Sequence, residues 1–391
     1  MTKSQHIHLW IPELFCTKGG IQVFSGFLLQ AFQSLYPESN LSIFLKNDSG
    51  EVMQQKISQE VSQDSRSNWS RTQIYGAGAI PSPIRTLFFA WQLMSLAITQ
   101  KPDLIITTHL NFAPIAFILK KIIGTKYIAI AHGVEAWDIQ NPLLKKSLQT
   151  ADLILAVSNF TRDRLCQQQG LSPEKVGVLH NTFDANAWEI REKPAHLLQK
   201  YGLNAQQKII LTVSRLVASE KYKGYDRILE VLPIIRRSIP DIHYIIVGKG
   251  SDRDRLTQII QQNNLQTHVT LAGFIPDEDL CDYYNLCDLF AMPSKREGFG
   301  IVYLEALASG KAVLGGNLDG AVDALCQGEI GALINPDNLY ELVEVITKIL
   351  SGKHDNPLIY QPQKLRQSVI TKFGFEHFQH SLSSYLSSFL N

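Results

Sequence analysis

The chain has 391 residues, 45% of them hydrophobic and 19% charged, with a formal net charge of +1. That length exceeds what one ordinary hydrophobic core spans and implies two or three domains. The apolar content excludes a disordered chain, and the balanced charge excludes recruitment of nucleic acid by bulk electrostatics.

In chain order, short β-branched runs alternate with longer segments of helical period, the pattern of a parallel sheet covered by helices on both faces. The first half reads as strand 7–11, helix 21–35, strand 104–108, helix 113–123 and strand 127–131. Strand 152–157 follows, with Ser158 placed to cap helix 159–168, and strand 176–179 closes the half. The stretch 54–82 is polar and rich in Ser and Gln, and reads as a strand with a mobile loop. The polar connection 184–207 contains Pro194 and marks a domain boundary. Beyond it the pattern repeats with strands 209–213, 243–247, 269–271, 289–291, 312–314 and 331–334. The intervening helices are 225–237, 252–263, 277–286, 300–308, 321–326 and 339–350. The final segment, 375–390, has the apolar spacing of an amphipathic helix that packs on the protein. In open sheets of this type ligands bind at the carboxyl ends of the strands.

Five scattered cysteines without a CxxC pair argue against a zinc knuckle or a disulfide framework, and suit reduced thiols in a cytosolic enzyme. No run approaches the ~18 apolar residues of a membrane-spanning helix. The apolar start lacks the basic flank and cleavage site of an export signal. The expectation is a cytoplasmic protein, peripheral at most on the inner face of the plasma membrane. A small positive excess over residues 1–184 suits an anionic surface, and ordinary scatter of surface charge produces the same excess.

The chemistry concentrates in Ser294-Lys295-Arg296-Glu297-Gly298-Phe299-Gly300-Ile301-Val302-Tyr303-Leu304-Glu305-Ala306, which follows a strand and opens a helix. Gly298 and Gly300 leave backbone amides bare, where an anion can meet them and the helix dipole. Glu297 and Glu305 supply carboxylates, which accept paired hydrogen bonds from vicinal hydroxyls such as those of a sugar or ribose. A helix start with an acidic first turn has the same local composition. Upstream, Ser214-Arg215-Leu216 ends a strand, and Lys223-Gly224-Tyr225-Asp226 opens a helix, with Lys221 a rival to Lys223. No G-x4-GK[ST] loop occurs, which disfavours an NTPase or kinase.

With its Glu, seven residues and second Glu, the sequence resembles the GT-B glycosyltransferases, specifically family 4 of retaining enzymes. The resemblance runs over nearly the whole chain. It implies an α/β fold of the GT-B type, two Rossmann-like doubly wound domains facing a central cleft. Residues 1–184 would form the acceptor domain, with 372–391 packing back on it, and 185–371 the donor domain. It assigns Arg215 and Lys223 to the donor diphosphate, Glu297 to the sugar hydroxyls and Glu305 to the ribose. His132, in His132-Gly133, would lie near the donor sugar, though an isolated His at a strand end is commonly structural. Gly19 and Gly20 would form the glycine loop, and Gly248 the turn lining the phosphates. Phe299 and Ile301, with Gly298 and Gly300, would line the donor site, and Ile275 would run along the nucleobase. Glu135 and Asp138 are further candidates for substrate hydroxyls. Asn181 stands where relatives have an Asn-Gly turn, and Thr182 replaces the usual Gly.

The implied function is transfer of a hexose from a nucleotide-diphosphate sugar to a hydroxyl of a glycan or lipid-linked acceptor, with retention and without a metal or other cofactor. UDP-glucose is the favoured donor and GDP-mannose the next, with 84–98 an apolar lip for the acceptor. A nucleotide-sugar epimerase or hydrolase would use the same donor residues and consume donor without an acceptor. A non-catalytic sugar-nucleotide-binding protein would need neither the carboxylates nor the cations.

Overall fold

The computed structural model describes residues 5–15, 19–50 and 69–390, and divides the chain into two compact units. One comprises Met1–Asn181 with Glu376–Asn391, the other Thr182–Phe375.

The first unit is built on a seven-stranded sheet in the order β3-β2-β1-β4-β5-β6-β7. Its strands are β1 (His6–Ile11), β2 (Asn40–Leu45), β3 (Thr72–Gly76), β4 (Leu104–Thr107), β5 (Lys126–Ala131), β6 (Leu153–Ala156) and β7 (Val176–Val178). All pairings are parallel, with Ile7 opposite Leu41 on one side and Leu104 on the other. Its helices are α1 (Gly20–Leu35), α2 (Ser82–Gln100), α3 (Ala113–Ile123), α4 (Pro142–Thr150) and α5 (Asn159–Gln169). Ser158 caps α5 by accepting from the Thr161 amide. The stretch 54–82 contains β3, while its residues 54–68 lie outside the described ones.

Sequence periodicity missed β2, α2 and α4. In α2 the cause is physical. Phe89, Leu93 and Ala97 are buried while Ile84, Leu87 and Trp91 on the other side are exposed, so no single polar face marks the helix.

The second unit carries a six-stranded sheet in the order β10-β9-β8-β11-β12-β13. These strands are β8 (Ile209–Val213), β9 (His243–Val247), β10 (Val269–Gly273), β11 (Leu289–Met292), β12 (Ala312–Gly316) and β13 (Ala332–Ile334), again all parallel. The helices are α6 (Ala195–Tyr201), α7 (Tyr225–Ile235), α8 (Arg253–Gln262), α9 (Asp277–Leu286), α10 (Ile301–Ala308), α11 (Ala321–Ala324), α12 (Leu339–Leu350) and α13 (Pro362–Phe373). The connection read as polar linker thus holds a short helix, α6, and α13 packs on α10 through Leu365, Val369 and Phe373.

Helix α14 (Phe375–Leu386) ends the chain's regular structure. In the first unit, Phe378 packs edge-on against Phe24 at 5.6 Å. The Tyr385 hydroxyl accepts from the Val178 amide at 3.0 Å and so satisfies edge strand β7. Gly177 makes room for that contact, since a Cβ there would meet the Tyr385 ring at 2.5 Å.

Both sheets have the doubly wound strand order, in which chain direction across the sheet reverses between the first strand and the fourth. The reversal points are β1/β4 in one unit and β8/β11 in the other. Loops leaving the carboxyl ends of those strands are splayed to opposite sides, and the opening between them is where a ligand fits.

Candidate active site

In the second unit, the chain leaves β8 at Ser214 and leaves β11 at Pro293, on either side of the reversal point. Arg215 and Lys223 belong to the first loop and Glu297 to the second. Their approach depends on close backbone contacts. The Ser214 amide donates to the Val247 carbonyl at 3.0 Å, and the Leu216 amide to the Lys249 carbonyl at 3.0 Å. Gly248 sits at φ +141°, where a Cβ would lie 1.8 Å from the Ser214 carbonyl oxygen. Gly250 likewise lies against the Leu216 carbonyl. The Gly248-Lys249-Gly250 turn therefore braces the Arg215 loop from beneath. Gly224, at φ +77°, brings the Lys223 turn onto Pro293, and the Lys295 amide donates to the Tyr222 carbonyl at 2.9 Å.

These contacts place Lys223 Nζ 3.2 Å from Glu297 Oε2, both side chains largely buried. Lys223, not Lys221, is the lysine paired with that carboxylate; Lys221 is exposed. Arg215 remains exposed and pairs with Glu220 at 2.5 Å, so the guanidinium is held by a carboxylate from its own loop. Between them lies Tyr222, whose phenol pKa is raised first by burial and then by Glu220 and Glu297, with Arg215 and Arg296 opposing.

The Glu297 loop is organised by a residue that sequence reasoning did not single out, Asp319. Fully buried, it accepts from the Ser294 hydroxyl at 2.6 Å, the Glu297 amide at 2.7 Å and the Ala321 amide at 2.9 Å. The Gly320 amide returns a bond to the Glu297 carbonyl at 2.8 Å. A Cβ on Gly320 would lie 2.0 Å from the Gly298 carbonyl oxygen, so the two loops touch backbone to backbone. Burial raises the Asp319 pKa to about 7, against the opposing pull of its hydrogen bonds. The only cue in sequence was an Asp-Gly pair, which by itself reads as a turn.

Gly300 adopts φ +92° and starts α10, while Gly298 and Phe299 are buried and Ile301 is half-buried. Glu305, on α10, is half-buried and accepts from the Tyr284 hydroxyl at 2.6 Å. Ile275 is 8% exposed, whereas Phe274 beside it is 61% exposed, with Lys249 Nζ 4.9 Å above its ring. Of that pair, the phenyl ring is the exposed one, a feature that alternation along the sequence could not distinguish.

In the first unit, Gly19 and Gly20 begin α1 after β1. A Cβ on Gly20 would meet nothing, leaving its backbone open. His132 follows β5, with its ring against Phe24 at 5.0 Å and Nε2 2.9 Å from the Thr108 carbonyl. A carbonyl only accepts, so Nε2 carries the proton and Nδ1 is the acceptor. Burial lowers the His132 pKa to about 4, making the ring neutral at ordinary pH. The Glu135 carboxylate accepts from the His132 amide at 2.5 Å, and burial raises its pKa. Asp138 binds Arg164 at 3.1 Å and Gln168 at 2.9 Å, which ties it to α5. At the chain crossing, the Thr182 hydroxyl donates to the Phe373 carbonyl at 2.8 Å, a bond that Gly could not make. Cys166, Cys281, Cys287 and Cys326 are free thiols, and Cys16 lies outside the described residues.

Two hollows, of about 500 Å³ and 310 Å³, lie away from these residues. The first is bordered by Asp152 and Val176, the second by Lys208, Asp288 and Lys311. Both adjoin the amino ends of strands, opposite to where such sheets bind ligands.

The sequence profile of the family described as "Glycosyl transferases group 1" matches residues 195–367, and that of "Glycosyltransferase Family 4" matches 54–187. The chain belongs to the group 1, family 4 glycosyltransferases. It is 29% identical over 241 residues to the GDP-mannose-dependent alpha-(1-6)-phosphatidylinositol monomannoside mannosyltransferase of Mycolicibacterium smegmatis, a match covering 58% of this chain and 61% of that one. The chain thus spans about three-fifths of the length of that curated relative. Among solved structures it is similar to Anabaena HepE in complex with UDP, with a TM-score of 0.75 at 20% identity, covering 98% of this chain and 100% of that one. It is also similar to the sucrose-phosphate synthase of Thermosynechococcus elongatus, with a TM-score of 0.74 at 20% identity, covering 98% of each. The fold is GT-B, with two Rossmann-like domains.

Proposed function

We propose that this glycosyltransferase transfers a hexose, with retention, from a nucleotide-diphosphate sugar to a hydroxyl of a glycan or lipid-linked acceptor. The observation that carries this reading is the gathering of Lys223, Glu297 and the Arg215–Glu220 pair at the β8/β11 reversal point. In this reading the second unit holds the donor and the first holds the acceptor. Arg215 and Lys223 neutralise the diphosphate without a metal, and its phosphates displace Glu220 from Arg215. Glu297, oriented by Lys223, holds sugar hydroxyls, and Glu305 holds the ribose. The bond from the anomeric carbon to the phosphate oxygen breaks as the acceptor oxygen bonds on the same face. The acceptor proton passes to the leaving phosphate oxygen. Neutral His132 offers a hydrogen-bonding Nδ1 without adding positive charge near the sugar.

UDP-glucose is the favoured donor, supported by the likeness to a protein solved with UDP. GDP-mannose is the next, supported by the mannosyltransferase relative. Thermal shifts with UDP, GDP and ADP test the base. Product formation from each sugar nucleotide tests the transfer, and the product's anomeric configuration tests retention. Donor consumption at the same rate with and without an acceptor would instead identify a hydrolase or epimerase.

Two further outcomes are expected at this site. Phe274→Ala should weaken nucleotide binding by about 1–3 kcal/mol, the range of aromatic–base stacking. Ile275→Ala should mainly lower the melting temperature, because that side chain is buried. Titration of UDP into both variants distinguishes the residues; equal losses would return the base contact to Ile275.

For Asp319, a carboxyl whose folded-state pKa is raised gives stability that is fully present below the unfolded value of ~4 and is lost as pH rises through about 7. Asp319→Asn does not titrate, and its single carbonyl oxygen cannot accept all three donors. The wild type should therefore be the more stable protein at pH 5, and its lead should shrink toward pH 8. Denaturant melts across that range would show a constant difference if Asp319 does not titrate there.

A further inference from the structure

One face of the first unit is apolar, cationic and uncovered. Helix α2 buries Phe89, Leu93 and Ala97, spaced by four, against the sheet. On the opposite side, at spacings that return to one face, stand Ile84, Leu87, Trp91 and Ile98, exposed by 55%, 73%, 64% and 40%. A helix that only needs to fold has no reason to place large apolar groups on both sides. Neighbouring helices continue the surface, since α3 packs between α2 and α4 over the same core. They present Ile122 at 57% and Leu143 at 46% exposure.

The charge on these helices is one-sided. Together α2, α3 and α4 contain Arg85, Lys120, Lys121, Lys145 and Lys146 and not one Asp or Glu. Arg85 is engaged with the Ile80 carbonyl and Lys120 with Asp152, while Lys121 and Lys146 are exposed. Lys121 Nζ sits over the Phe117 ring, 4.7 Å from its centroid, a cation–π contact that holds the charge at the apolar boundary. An exposed indole amid aliphatic groups, on a set of helices that carries five cations and no acidic residue, matches the interfacial zone of a bilayer with negatively charged headgroups. Among the described residues no helix is long and apolar enough to cross a membrane, so the contact is with its surface.

We propose that the α2–α3–α4 face docks the protein onto an anionic lipid surface, with Leu87 and Trp91 entering the headgroup–acyl boundary. A second copy of the chain would require acidic groups opposite these lysines if the contact were self-complementary, and α2, α3 and α4 carry none. The inference stands apart from the donor assignment, because none of these residues belongs to the β8/β11 site.

The test is co-sedimentation of the full chain with vesicles of phosphatidylcholine alone and of equimolar phosphatidylcholine and phosphatidylglycerol. Binding is expected to the second and to be weakened by salt. Trp91→Glu and Leu87→Glu should each reduce it about tenfold or more, and Lys121→Glu with Lys146→Glu by at least several-fold. Unchanged melting temperature and UDP binding would show that these exposed substitutions leave the fold and the donor site intact. Absence of binding by the wild type, equal binding to both vesicles, or equal binding by Trp91→Glu would each overturn the proposal. So would a dimer in solution that Trp91→Glu dissolves while no vesicle is bound.

Discussion

Lys223→Ala should lower kcat/KM by about a hundredfold or more, and Arg215→Ala by a similar factor, the loss seen when one preorganised donor to a developing oxyanion is removed. The two changes act through different surroundings. Lys223 is largely buried against Glu297, so its removal also leaves a carboxylate unpaired. Glu297→Gln in the Lys223→Ala background separates these contributions in the melting temperature, because it removes the orphaned charge without restoring the cation. Arg215 is exposed, and its partner Glu220 has Oε2 buried without a hydrogen bond. Arg215→Ala should therefore leave Glu220 uncompensated, and Glu220→Gln alone should free Arg215 and tighten diphosphate binding. Steady-state rates with saturating acceptor, together with calorimetric titration of UDP, read both effects. Wild-type turnover in the doubly substituted protein would remove both cations from the mechanism.

Gly248→Ala should destabilise the protein by about 3 kcal/mol or more, whereas Gly20→Ala should be neutral or slightly stabilising. At Gly248 the backbone lies at φ +141°, and a Cβ would stand 1.8 Å from the Ser214 carbonyl oxygen. That oxygen belongs to the strand end carrying Arg215, so relief of the clash must displace the cation as well as β9. At Gly20, the first residue of α1, nothing lies within 4 Å of the added methyl. Alanine there also reduces the conformational freedom of the unfolded chain. Denaturant melts followed by circular dichroism measure both, and activity of Gly248→Ala should fall further than its melt alone accounts for. Comparable melts for the two variants would show that the Arg215 loop tolerates movement.

The donor-side candidates were legible because their chemistry is local. Glu297, Gly298 and Gly300 lie within one strand-to-helix turn, and Lys223 stands just before the start of α7. Strand and helix alternation likewise exposed β8 to β13 almost residue by residue, since strands buried on both faces read as continuous apolar runs. Strands and helices whose burial depends on distant partners were harder. Helix α2 hid behind its two apolar faces, and α13 buries only Leu365, Val369 and Phe373.

By itself the sequence determined the alternation of strands and helices, the recurrence of that pattern on both sides of the connection, and the identities of the carboxylates and cations able to serve a phosphorylated sugar. Local periodicity and turn chemistry are properties of neighbouring residues, so they survive without coordinates. Only tertiary structure decided that Lys223 rather than Lys221 meets Glu297, that Arg215 is held by Glu220, and that Phe274 rather than Ile275 is open. It alone brought Asp319, 22 residues downstream, beneath the Glu297 amide. Those outcomes depend on which loops touch across a strand-order reversal, and a buried carboxyl is recognised by its partners rather than by its neighbours in the chain.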